Sequence, residues 1–242
     1  MKVRFRFTKL GKLRWTSHRD VARMWERAFR RAQLPVAKTE GFTPRPKVSF
    51  GLALPTGHES LAEYLDVEIA PEGVDVAGLP ARLSAALPIG IDVLAAVVLT
   101  GPMPSLQEDV TSCTWEVEAV GAPPEEVELL VARALAAESI VITRQRKGSE
   151  LDEDVRPAIL TVTVDGPVVC ESEDHAPGTV LVVELATQPR SLRPAELLAA
   201  VSPRLTEGHV RRTHQWSTRD GARWEPIPLD ATDAPHAEVR AS

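Results

Sequence analysis

Twice along the chain, apolar patterns of strand length and helix length follow one another in the order strand, helix, strand, strand, helix, strand. In the first pass, Val3, Phe5 and Phe7 alternate with Arg4, Arg6 and Thr8. This period of two marks a half-buried strand with one basic face. A turn at Lys9–Lys12 follows, and Ser17 then stands where a helix cap belongs, with Asp20 three residues on as its capping box. Val21, Met24, Trp25, Ala28, Phe29 and Ala32 keep the rhythm of a helix laying one face on a core. Leu34-Pro35 ends it. Residues 47–54 and 62–70 read as strands, 76–87 as a second amphipathic helix, and 91–100 as a fourth strand before a Gly-Pro-Met-Pro linker.

The second pass repeats the order without repeating the sequence. A strand at 112–120 leads through Pro123-Pro124 to a helix carrying Val127, Leu130, Val131, Ala134 and Leu135. Strands follow at 139–146, near 158–164 and 167–171, and at 179–187. A helix opens at Pro194, and a last strand covers 209–217. The pattern predicts an α+β protein of two tandem ferredoxin-like domains, 1–103 and 110–218, the second with an inserted hairpin. Residues 219–242, rich in Pro, Asp and Ala and without periodicity, are expected to be a disordered tail.

Net charge is -6, but its distribution is uneven. Residues 1–50 hold 14 Lys or Arg against three acids, a balance of +11, while the remaining 192 residues carry -17. Such a split points to an anionic partner held locally by a body that repels polyanions elsewhere. The predicted first helix concentrates the charge: Arg19, Arg23, Arg27, Arg30 and Arg31 share the face opposite its apolar stripe, with Glu26 the one acid among them. A solvated surface is the plain reading. Mutual repulsion at i, i+4 spacing and the fit of guanidinium to phosphate favour anion binding.

Glu40-Gly41-Phe42-Thr43-Pro44-Arg45-Pro46-Lys47 is the most distinctive segment. A loop stiffened by two prolines that offers Phe42, Arg45 and Lys47 suits a phosphate with a stacked base. A rigid crossover with Phe42 in the core fits the same residues. The last strand adds His209, Arg211, Arg212, His214 and Trp216, as a second basic surface or a solvent face.

His18 is the one candidate catalytic base, with Asp20 to orient it, but a histidine beside a helix cap has a sufficient structural explanation. His58 lies near Glu59, Glu63 and Asp66, yet Glu63 and Asp66 point to opposite faces of a strand, so no joint metal site is expected. Arg144 to Lys147 precede the acidic stretch Glu150 to Asp154, and these charges can pair with each other. P-loop, GxGxxG, GxSxG, HExxH and CxxxCxxC motifs do not occur. Cys113 and Cys170 are too few for an iron–sulfur cluster or a disulfide framework. With no apolar window of membrane length and no apolar run behind the N-terminal charges, the chain is expected to be cytoplasmic and away from membranes.

Three elements, Ser17 to Asp20, Gly41 to Lys47 and Gly57 to Asp66, resemble the N-terminal part of the radical SAM-linked proteins of bacteria, which are encoded beside or fused to a radical SAM protein. Asp154-Val155-Arg156-Pro157 looks like a further element of that family. The resemblance implies a radical SAM partner that binds S-adenosylmethionine and an iron–sulfur cluster, with no cofactor on this chain. Together with the charge pattern, it predicts a non-catalytic accessory protein that recognises RNA or another polyanion and works with a separate radical SAM enzyme. An alternative is a metal-independent RNA endonuclease similar in outline to the CRISPR repeat-processing enzymes. His18 would then be the base, and Arg45 or Lys47 would stabilise the phosphate. A third reading is a partner that only docks onto an acidic protein surface.

Overall fold

A computed structural model describes residues 1–70, 73–101, 103–146, 148–168 and 177–227. The protein is a mixed α+β fold that divides into two compact units, Met1–Val110 together with the chain from Gln215, and Thr111–His214.

In the first unit, β1 (Lys2–Lys9) leads through a 3-10 turn at Gly11–Trp15 into α1 (His18–Arg31), then β2 (Val48–Phe50), β3 (Glu59–Glu68), α2 (Leu79–Ser84), β4 (Val93–Leu99) and the short α3 (Leu106–Asp109). β1 lies between β4 and β3, antiparallel to both, and β2 pairs antiparallel with β3. The expected helix over 76–87 shrinks to 79–84, because Pro80 belongs in a first turn and Pro88 closes the segment. β2 is shorter than the expected 47–54, pairing Val48–Phe50 with residues 65–67 of β3.

Alternation along β1 sorts its side chains. Val3, Phe5 and Phe7 are buried beneath the helices with Val21, Trp25, Phe29, Leu65, Leu79 and Leu83. The other side of the sheet was expected to be a basic face at the surface. It is buried instead: Arg4 is 0% and Arg6 1% exposed. Ala62, Tyr64, Ala95, Val97 and Leu99 make a second core there with Leu106 of α3 and Ile227. Arg4 forms a bidentate pair with Asp66 at 2.7 and 3.1 Å, joined by Lys2 at 3.1 Å. Arg6 donates to Glu225 and to the Ile227 carbonyl, both at 2.8 Å. Tyr64 lies below the Arg6 guanidinium, and burial pushes its phenol pKa up.

The second unit contains β5 (Val110–Val120), α4 (Pro124–Ala136), β6 (Val141–Arg146), β7 (Ser149–Asp154), β8 (Ile159–Pro167), β9 (Gly178–Ala186), α5 (Pro194–Val201) and β10 (Thr206–Arg219). Its strand order is β10-β5-β9-β8, with β5–β9 and β9–β8 antiparallel, and β6–β7 form a separate hairpin. Gln215–Arg219 at the end of β10 belong to the first unit, where β11 (Ala222–Trp224) folds back on them. Residues 219–227, expected in the tail, are ordered. A Glu225 paired with Arg6 and an Ile227 that is 1% exposed place 219–227 in the fold, while 228–242 lie outside the described residues.

Asp154-Val155-Arg156-Pro157 is a structural latch. The Asp154 carboxylate accepts from the backbone N–H groups of Ile140 and Arg156 at 2.9 and 3.0 Å. The Arg156 guanidinium donates to the carbonyls of Leu135 and Ile159 at 2.9 and 3.1 Å, tying the end of α4 to the start of β8. The two backbone donors, Ile140 first, hold the Asp154 carboxyl below its ordinary range. A depressed folded pKa stabilises fully above the unfolded value of about 3.9 and is lost as pH falls through the folded value. Asp154→Ala is therefore expected to lower the thermal midpoint at neutral pH, with the gap to wild type closing below about pH 4. Circular-dichroism melts across that range check it; a gap that stays constant into acid contradicts the latch.

Candidate nucleic-acid interface

Trp25 sets the roll of α1. It is fully buried against Phe5, Phe7 and Phe29, with ring centroids 6.1, 5.0 and 5.4 Å away. With that stripe on the sheet, Arg19, Arg23, Arg27, Arg30 and Arg31 are all exposed. Ser17 caps the helix, accepting from the Asp20 N–H at 3.2 Å and donating its hydroxyl to the Asp20 carboxylate at 2.7 Å. That hydroxyl, with Arg23 beside it, holds the Asp20 carboxyl below its ordinary range. Arg23 reaches Asp20 at 3.3 Å and Arg31 the Ala86 carbonyl at 3.4 Å. Arg19, Arg27 and Arg30 make no side-chain hydrogen bond or ion pair among the described residues. A ridge of cations thus runs the length of the helix.

The segment after α1 folds into a hairpin-like arm. Lys47 N–H donates to the Ala37 carbonyl and Thr39 N–H to the Arg45 carbonyl, each at 2.8 Å, while Arg45 N–H reaches Thr39 Oγ1 at 3.0 Å. The Ala37 N–H donates to the Glu68 carbonyl at 2.8 Å, which roots the arm at the end of β3. At the turn, Gly41 has φ +121°, a conformation that a side chain would strain. Next to it Phe42 stands fully exposed, at 109%, so the alternative of a core phenylalanine does not hold. Lys38 and Arg45 are exposed on the arm, and Lys47 pairs with Glu68 at 3.0 Å.

His18 is exposed at the opposite end of α1, edge-on to Phe50 at 5.1 Å. Phe50 closes β2, which begins directly after Lys47, so His18 lies against the strand that the arm leads into. Asp20, already held by Ser17 and Arg23, is not shown bonded to His18. His58, Glu59 and Glu63 are buried, Asp66 is engaged by Arg4, and among the described residues no group of three His, Cys, Asp or Glu is placed to hold a metal.

The basic run on β10 does not form a second open surface. Arg212 is 1% exposed with its guanidinium 5.2 Å from the Trp115 ring centroid, so it is part of the interior. Arg211 is half-buried and lies 3.6 Å from Glu116. In the hairpin, Arg144 pairs with Glu153 and Glu196 at 2.8 and 2.7 Å, and Arg190 joins Glu153 at 2.7 Å. These charges are internal, and Lys147 lies outside the described residues. The exposed ring that the sequence pattern did not single out is Trp15, 64% exposed just before α1.

A chain of the structure titled "Crystal Structure of a Cbf5-Nop10-Gar1 Complex" is similar at 8% identity and a TM-score of 0.49, over 88% of this chain and 48% of that one. This chain thus spans about half the length of that relative. No curated protein matches it. Residues 2–194 match the family described as "Uncharacterized protein conserved in bacteria (DUF2344)", and the chain belongs to that family.

Proposed function

We propose that this chain is an RNA-binding accessory protein whose contact surface is α1 and the arm of the first unit. One observation carries the reading: an outward arginine ridge is followed by a basic arm whose tip ring, Phe42, stands wholly in water. Guanidinium groups four residues apart repel one another by about 0.2–0.5 kcal/mol per pair in the free protein. Phosphates relieve that repulsion and accept paired N–H bonds, and the counterions they release drive association. An exposed ring beside cations adds a stacking surface that a protein acid cluster would not need, which favours RNA over plain protein docking.

The strand orders β4-β1-β3-β2 and β10-β5-β9-β8, with antiparallel pairing and one helix after the first and third strand of each set, support two ferredoxin-like units, the β6–β7 hairpin being the insertion. In this reading a separate radical SAM protein supplies the S-adenosylmethionine and iron–sulfur chemistry, on the strength of the sequence resemblance. The endonuclease alternative has less support, because Lys47 is paired with Glu68 and Asp20, expected to orient His18, is engaged by Ser17 and Arg23.

Ultraviolet crosslinking of the full chain to a generic RNA, followed by mass spectrometry of the peptides, tests the surface. Crosslinks are expected on peptides from residues 14–47, with Phe42 prominent. Crosslinks confined to the second unit would remove the reading.

A further inference from the structure

The arginine ridge is bracketed by two exposed rings. Phe42 follows its C-terminal end, and Trp15 stands three residues before α1. Trp15 is exposed but braced. The Arg14 guanidinium lies 5.3 Å from its ring centroid. Gly57, at φ +95°, brings backbone so close that a Cβ there would sit 3.1 Å from Trp15 Cζ3. The Gly57 N–H donates to the Arg14 carbonyl at 2.7 Å, and the Gly11 N–H to Glu59 Oε1 at 2.8 Å. The 3-10 turn is thereby fastened at both ends to the start of β3 while most of the indole faces water. A ring already held in place loses little further freedom on binding, which suits a stacking platform.

We infer that the first unit takes single-stranded RNA, laid along α1 with one base stacked on Trp15 and another on Phe42. This rests on the RNA-binding reading above and adds to it the strand class and a second platform. Stacking requires a base whose face is free, which a single strand offers and a continuous duplex withholds. The 14 residues of α1 span about 20 Å, room for roughly six nucleotides at ~3.4 Å per step. Arginines between the rings then follow the phosphates, the combination that binds single strands with little regard to sequence.

The test uses fluorescence anisotropy with the full chain, a labelled unstructured RNA of roughly twelve nucleotides, and the same strand annealed to its complement. Wild type is expected to prefer the single strand by about tenfold or more. Trp15→Ala is expected to weaken single-strand binding about ten- to a hundredfold and to leave duplex binding within about twofold. The slope of log affinity against log salt should not change, because no phosphate contact is lost. Trp15→Phe should recover most of the affinity, and circular dichroism checks that each variant is folded. If Trp15→Ala weakens both RNA forms equally, or neither, the inference is overturned. The RNA-binding reading then still stands, provided that the ridge arginines set the affinity. If wild type binds neither form at low salt, both fall.

Discussion

Asp66→Ala is expected to destabilise the first unit by about 3–5 kcal/mol, the range found when one partner of a buried ion pair is removed. Asp66 is 2% exposed and carries both bonds to an Arg4 that is itself wholly buried, with Lys2 closing the cluster. Without the carboxylate, a wholly buried guanidinium has no counter-charge. Against a net stability of about 5–15 kcal/mol, that loss leaves the unit marginal. Replacing the pair together, as Arg4→Met with Asp66→Leu, is expected to cost much less than the single change, because it removes the charge rather than orphaning it. Urea unfolding of the three variants checks the comparison. A loss below about 1 kcal/mol for Asp66→Ala would mean that Arg4 reaches water once its partner is gone.

The second large effect falls on binding rather than stability. Arg23→Glu, Arg27→Glu and Arg30→Glu together turn the ridge from attracting phosphates to repelling them. All three residues are exposed, and none contributes to the aromatic stripe that seats the helix. The fold should therefore survive while RNA affinity falls about a hundredfold or more at low salt. Of the 14 basic residues in the first fifty, Arg4 and Arg6 are buried and paired, so they are not available for this role. Lys2, Lys9 and Lys47 are also engaged, which leaves Lys12 and Arg14 before the helix, the ridge, and Lys38 and Arg45 of the arm as the cationic surface.

The sequence patterns reveal the elements better than what covers them. The period of two in β1 and the stripe of α1 are local, and both elements form where those patterns end. Alternation says only that Arg4 and Arg6 share a side, not that the side meets water. Their cover comes from the four-residue α3 and from residues 225–227, distant in sequence and too short to carry a period. Arg212 was misplaced for a related reason. Buried positions on β10 run Val210, Arg212, then Thr213, Gln215 and Ser217, so the alternation slips by one residue between Arg212 and Thr213. Phe42 and Trp15 lie in segments without periodicity, and burial of a lone ring there depends on contacts that no local pattern encodes. The arm's proline-rich sequence at least marked Phe42; nothing comparable marked Trp15.

Salt-titrated RNA binding tests the central claim most directly. For wild type, log affinity should fall steeply and linearly with log salt, each neutralised phosphate adding about 0.9 to the slope on a duplex and about 0.7 on a single strand. The triple ridge reversal should remove about two units of single-strand slope along with most of the affinity. A wild-type slope near zero, or a reversed ridge that binds with unchanged affinity and slope, would contradict the assignment of the arginine ridge as the RNA contact.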